Sequence, residues 1–402
     1  MRHGIFYLFF GVILTLDVLA HRYLYVRLFR DPDWPDAVRR GGLVVCVLLA
    51  ILLPAGIALS RALPRAWAEP LAHAAFAWMG TAFYLLLVLF AVDLARWVTE
   101  AAVHLSSLFA GGAGAPPEPA VAEVPSPERR ALLKQATAGV AGVAAAGLSG
   151  AALRSGLAEV EVREVAVKLD KLPPALSGLN LVQLSDVHVG PTLGERFLRS
   201  VVDKTNQLRP DAVLITGDLV DGSVAQLRAH VAPLAGLKSR FGVYFVTGNH
   251  EYYSGAEAWE AELQRLGIRV LRNERVTLGD QASLDLAGVD DANARGMARG
   301  HGADVARIVA GRDPERALVL MAHQPKQIDL ATQAGADLQL SGHTHGGQLW
   351  PFSAMVKLAQ PYVAGLYQHD PATQIYVSRG TGYWGPPMRL MAPAEITKIV
   401  LT

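Results

Sequence analysis

The chain has 402 residues, 51% of them hydrophobic, and carries 37 basic against 36 acidic side chains for a net charge of +1. A mean hydropathy of +0.25 is too apolar for an ordinary soluble protein, so part of the chain is expected in a bilayer. Evenly mixed charges leave no basic stripe for nucleic acid, and one cysteine, Cys46, excludes an intrachain disulfide or a thiolate metal cluster.

Three apolar stretches open the chain, at about residues 4–20, 41–60 and 71–95, each near the roughly 20 residues a spanning helix needs. Their length and lack of polar periodicity favour spans over buried core helices. Asp17 and Asp93 are their only acids, each near a span end and expected at the interface. Trp67 and Trp97 flank the third stretch as interfacial anchors do. Arg22, Arg27, Arg30, Arg39 and Arg40 crowd the first connection, whereas only Arg61 and Arg65 lie in the second. The positive-inside bias therefore predicts an N-terminus outside and the third connection inside.

This membrane region, 1–109, is followed by a Pro/Ala/Gly linker, 110–134, which contains "GGAGAPPEPAVAEVPSPE" and ends in a twin-arginine signature, "ERRALLK". A weakly apolar run, "QATAGVAGVAAAGLSGAAL", then predicts a fourth transmembrane or signal-like helix over 135–155. Three preceding spans bring Arg129 and Arg130 to the cytoplasmic face, where an export signal is needed. If the run crosses, everything beyond it is extracytoplasmic, on a multi-pass protein of a bacterial cytoplasmic membrane.

Residues 156–402 read as one globular α/β domain. "VEVREVAVKL" at 160–169 alternates like a half-buried strand, and "GERFLRSVVDKTNQL" at 194–208 has helical spacing. Chemistry collects at the ends of five apolar runs: "LVQLSDVH" with Asp186 and His188, "AVLITGD" with Asp218, "VYFVTGNHE" with Asn249 and His250, "ALVLMAH" with His323, and "LQLSGHTH" with His343 and His345. Each alone reads as a turn or a satisfied polar residue. Together, five groups at strand ends form the usual α/β binding arrangement, and glycine before a polar pair suggests backbone brought close to a ligand. Carboxylate, amide and imidazole donors suit Mn²⁺, Fe or Zn²⁺, with Mg²⁺ also admissible. Seven ligands are too many for one ion, and a shared carboxylate would seat two ions roughly 3.5–4 Å apart.

The series "DVH", "GD", "GNHE", "AH" and "GHTH" resembles the calcineurin-like metallophosphoesterases over about residues 178–398. "TGDLVDG", "SGHTHGGQL" and "SRGTGYWGPPMRL" are similar to a branch of membrane-associated bacterial phosphodiesterases. The resemblance implies a four-layer α/β/β/α sandwich, here preceded by an α-helical transmembrane region. It implies that Asp186, His188 and His345 hold one metal and Asn249, His323 and His343 the other, with Asp218 bridging and His250 catalytic beside the phosphate. Many relatives have arginine where this chain has Gly222, which leaves Arg379 of "SRG" as the substrate-binding cation, or else a structural arginine paired with a loop carboxylate.

The expected activity is hydrolysis of a phosphoester, with a diester preferred, by a hydroxide bridging two metals. The expected partners are the membrane and a lipid- or envelope-linked phosphoester. Two alternatives stand beside it: a cytoplasm-facing pyrophosphatase acting on a UDP-diacylglucosamine-type lipid, and a non-catalytic scaffold on the same fold.

Overall fold

A computed structural model of the chain describes residues 2–110, 126–279 and 283–402. Most of the expected linker, residues 111–125, lies outside the described residues. The chain divides into two compact units, Met1–Ala151 and Ala152–Thr402.

The first unit is helical: α1 Arg2–Tyr25, α2 Asp36–Ala62, α3 Arg65–Ala110 and the greater part of α4 Pro127–Gly156. Among the described residues three helical segments are long and apolar enough to cross a membrane: Asp36–Ser60, Arg65–Ser107 and Pro127–Gly156, with mean hydropathy 2.8, 2.1 and 1.5. The fourth apolar run is thus the middle of a longer helix. That helix begins at Pro127, so the twin arginines are its first turns and not part of an irregular linker. Proline suits such a start because its missing N–H falls where a helix has no intrahelical acceptor. Asp93, near the end of its span, is held by other side chains. It accepts from Tyr23 Oη at 2.6 Å and pairs with Arg27, joining the end of α1 to α3. Asp17 stands 3.3 Å from His21, whose ring accepts from Trp78 Nε1 at 2.9 Å.

Among the described residues the second unit holds twelve strands: β1 Glu161–Val167, β2 Asn180–Leu184, β3 Ala212–Thr216, β4 Val243–Val246, β5 Arg269–Val270, β6 Glu274–Leu278, β7 Leu284–Gly288, β8 Leu318–Met321, β9 Leu338–Ser341, β10 Gly365–Gln368, β11 Gln374–Val377 and β12 Glu395–Leu401. They form two six-stranded mixed sheets, β1-β12-β2-β3-β4-β5 and β10-β11-β9-β8-β7-β6. Leu181, Leu214 and Val246 of the first sheet meet Leu286, Val319 and Leu340 of the second in a shared core. The first sheet's other face packs Val182, Val213 and Ile215 against Leu198, Val201 and Trp259 of helices Glu195–Gln207 and Ala256–Arg265. The second sheet's outer face packs Leu318 and Leu320 against Ile308 and Ala331 of helices Val305–Val309 and Ile328–Ala334. The result is the four-layer α/β/β/α sandwich.

Burial on both faces explains why β3, "AVLIT", is apolar throughout instead of alternating. β1 does alternate, yet only Val167 is buried, because β1 is an edge strand paired on one side by β12. The expected half-buried strand is therefore mostly exposed.

Candidate metal centre

Every expected site residue follows a strand's C-terminal end. Asp186 and His188 follow β2, Asp218 follows β3, and Asn249 and His250 open the helix Asn249–Ser254 after β4. These three strands are parallel neighbours, so their ends share one edge of the first sheet. His323 follows β8, and His343 and His345 follow its parallel neighbour β9 in the second sheet. The two edges meet. Gln183 at the end of β2 donates to Thr216 Oγ1 at 2.8 Å and to the Ser341 carbonyl at 2.9 Å, stapling one sheet to the other beneath the site.

The loops leave the strands in an unusual conformation: Asp186, His188, Asp218, His343 and His345 all have φ between 50° and 70°. Such left-handed positions cost conformational energy in non-glycine residues and collect at functional sites. The two glycines singled out by sequence are needed for close approach. A Cβ at Gly342 would overlap Asp186 Oδ2 and Ser185 Oγ, and one at Gly248 would overlap Asp218 Oδ1.

Among the described residues three clusters result, two of them made wholly of expected ligands and the third, His188 with Asp221 and His250, sharing His188 with the first. Asp186, His188 and His345 present ligand atoms all within 4.8 Å of one another, as do Asp218, His323 and His343. In the first, His188 Nε2 is 3.0 Å from His345 Nε2, which is 3.5 Å from Asp186 Oδ1. In the second, His323 Nδ1 donates to the Thr216 carbonyl at 2.7 Å, which turns Nε2 toward Asp218 Oδ2, 3.1 Å away. That Nε2 makes no well-directed hydrogen bond although it pairs with Asp218, and the buried Asn249 Oδ1 has no hydrogen-bond partner. Orphaned lone pairs in a buried site are costly unless a cation takes them. The donors therefore fit two divalent ions.

Electrostatics agree with that fit. Burial, then the charge on His323, pushes His343 down to about 3, and burial with the charges on His188 and Arg389 pushes His345 well below its ordinary range. Both rings are neutral, as metal ligands must be. Burial alone would raise Asp218, but His323 outweighs it and holds the carboxylate ionised; burial would lower His323, and Asp218 raises it well above its usual value. A proton on His323 thus balances Asp218, a task a metal ion would take over.

Two carboxylates and an arginine that sequence reading left without roles complete the site. Asp221, the second acid of "GDLVDG", meets His188 Nδ1 at 3.1 Å and His250 Nδ1 at 2.5 Å through one oxygen. Burial opposes protonation of His250, yet the Asp221 hydrogen bond and the charges on Asp218, Asp221 and Glu251 hold it up to about 9. Glu251 accepts from the backbone N–H of Asp218, Leu219 and Gly248 at 3.0, 2.8 and 2.7 Å. Arg389 is fully buried, donates to the carbonyls of Arg379 and Ala392, and faces His345 Nδ1 at 3.2 Å. Arg379 itself donates from Nε to Glu395 Oε2 at 2.7 Å, while its aliphatic stem packs beside Gly346 of the His343–His345 turn.

A two-sheet sandwich with oxygen and imidazole clusters at the strand ends is the architecture that the sequence motifs imply for a metallophosphoesterase domain. The calcineurin-like phosphoesterase family profile matches residues 179–347. An uncharacterized metallophosphoesterase of Helicobacter pylori is 45% identical over 247 residues, covering 61% of this chain and 65% of the relative. A Danio rerio transmembrane protein with metallophosphoesterase domain is 44% identical over 250 residues, 60% and 57% of the two chains. An Aquifex aeolicus metallophosphoesterase is 32% identical over 243 residues, 60% of this chain and 92% of that one. The chain belongs to the calcineurin-like phosphoesterase family. It spans less than two thirds of the length of the Helicobacter and Danio relatives. Three membrane-length apolar helices and the relatives named as transmembrane proteins place it at a membrane.

Proposed function

We propose that this protein is a membrane-anchored, dinuclear metal-dependent phosphoesterase with a preference for diesters. The observation that carries the reading is the pair of largely buried clusters at the strand ends, with the buried Asn249 Oδ1 on the neighbouring strand end left without a hydrogen bond. Asp186, His188 and His345 would hold one ion, Asn249, His323 and His343 the other, and Asp218 both. When bound, such ions neutralise charge on phosphoryl oxygens and acidify water toward neutrality from about 15.7.

The chain's own residues do the rest. Asp218 Oδ1 accepts from the His250 N–H at 2.8 Å, so the proposed bridging carboxylate and the proposed catalytic histidine move together. Asp221 fixes the His250 ring by Nδ1, leaving Nε2 to protonate the leaving oxygen or steady its charge. Divalent ions nearby would pull His250 down from about 9 toward the range useful for proton transfer. Arg379, with Nε committed to Glu395, would contact phosphate through its terminal nitrogens.

On topology, we place the catalytic domain outside the cytoplasm of a bacterial membrane, supported by the arginine bias of the connections and the twin arginines in the first turns of α4. The test of activity is turnover of bis(p-nitrophenyl) phosphate against the monoester, by the full chain with added Mn²⁺. Metal-dependent hydrolysis of the diester, faster than of the monoester, is expected. Metal-loaded protein that cleaves neither would sink the proposal.

A further inference from the structure

Two adjoining segments beside the metal centre expose large apolar side chains. One follows the His343–His345 turn and carries Trp350, Phe352, Met355 and Leu358, the last 81% exposed. The other, within residues 380–391, carries Trp384 and Met391, the latter 77% exposed. They are held together: Leu349 bridges Leu390 in parallel, Trp350 N donates to the Leu390 carbonyl at 3.3 Å, and Gln348 Nε2 donates to the Trp384 carbonyl at 3.0 Å. This rim reaches the chemistry, since the Trp384 ring lies 5.7 Å from that of His250.

The same rim is where the chain leaves its last membrane-length helix. The Ala152 carbonyl accepts from Arg389 N at 2.8 Å, and a Cβ at Gly156 would overlap the Pro387 carbonyl, so the final turn of α4 is docked on the 380–391 segment. Residues 152–156, the last turn of that apolar helix, therefore pack within the second unit on the segment that presents Trp384 and Met391. The helix Ser353–Ala359 adds Met355 and Leu358 with Lys357 exposed between them. Apolar side chains with tryptophan and lysine among them are the composition that partitions into the headgroup boundary of a bilayer. Apolar surface of this extent is rare on soluble domains without an occupant.

We infer that this rim is seated in the interfacial layer of the lipid bilayer that anchors the chain. The metal centre then opens at the membrane surface. A phosphoester carried by a membrane amphiphile would reach it without leaving the interface, a consequence that rests on the phosphoesterase proposed above.

The test uses the full chain, Mn²⁺-loaded, in phosphatidylcholine–phosphatidylglycerol vesicles. In a Cys46→Ser background, single nitroxides are placed through Met355→Cys, Leu358→Cys and Met391→Cys. Ser177→Cys serves as reference, since it is exposed and precedes β2, at the sheet edge opposite the site. Collision with oxygen, enriched in lipid, is expected to exceed collision with an aqueous nickel chelate several-fold at the three rim positions, with the order reversed at 177. Rim labels as water-accessible as the reference overturn the inference. Bound Mn²⁺ equal to that of the unlabelled protein certifies each variant's fold, and any one certified rim variant decides the matter. The readout needs no turnover: lipid-exposed labels on an inactive protein sink only the phosphoesterase reading, and water-exposed labels on an active one sink only this inference.

Discussion

Glu251 touches no expected ligand side chain, yet replacing it with glutamine should disable the metal centre. Its two oxygens accept three buried N–H groups, two on Oε2 from Asp218 and Gly248 and one on Oε1 from Leu219. Glutamine keeps one acceptor. Its amide nitrogen then faces donors, so at least one N–H, and two if Oε1 stays on Leu219, loses its partner in a buried place. Leaving a buried N–H without its partner costs roughly 1–3 kcal/mol, and relaxation of the loops recovers part of that, so we expect local destabilisation of about 3 kcal/mol. At about 1.4 kcal/mol per tenfold, this is roughly a 100-fold rise in local opening. Hydrogen exchange of the segments holding residues 217–219 and 248–251 reads it directly. Because Asp218 and Asn249 sit on those segments, Mn²⁺ affinity should fall by about 10–100-fold, as when a partner behind a ligand is lost. Glu251→Gln with exchange and Mn²⁺ affinity within twofold of the parent would refute this reasoning.

Asp218→Asn should abolish turnover and lower bound metal, whereas His250→Ala should keep its metal and lose about 100-fold or more in rate; full activity in either contradicts the assigned roles. In the metal-free protein the His250 ring should stay protonated up to about pH 9, and histidine NMR of Asp221→Asn should show the titration moved down by at least about one unit. Since the folded value is the raised one, this stabilising contribution is complete below about 6.5 and is lost as pH rises through about 9; an unchanged titration removes Asp221 as the cause. A reporter fused near residue 160 and active only outside the cytoplasm should be active, and a silent one would turn the catalytic domain inward and restore the nucleotide-lipid alternative.

The strand-end groups were legible because each is local: an apolar run, one or two small residues, then the donor. The glycines of "GNHE" and "SGHTH" were legible for the same reason, and each does stand where a Cβ would strike an expected ligand. What escaped was pairing across the chain. Asp221 lies three residues beyond Asp218, but its work on His188 and His250 exists only once β2, β3 and β4 lie side by side. The partner that fixes Arg379 is Glu395 on β12, and nothing in "SRG" points there. Asp93 and Arg27, distant in sequence, meet only when α1 and α3 pack. Composition announced a membrane half, but could not say that the weakly apolar run begins its helix at Pro127.

The order of strands explains why the donors come as they do. The two clusters of expected ligands take members from both sheets: Asp186 and His188 from the end of β2 with His345 from the end of β9, and Asp218 from β3 with His323 and His343 from β8 and β9. Neither of these two clusters closes from one sheet's donors alone, so docking of the sheets and assembly of both are one event. The docking does not depend on the donors, because the shared core of Leu181, Leu214, Val246, Leu286, Val319 and Leu340 already aligns the two edges. Burial of that apolar surface supplies the stability, at roughly 25 cal/mol per Å². The left-handed turns at Asp186, Asp218 and His345 can therefore hold strained geometry at the edge without governing the fold behind it.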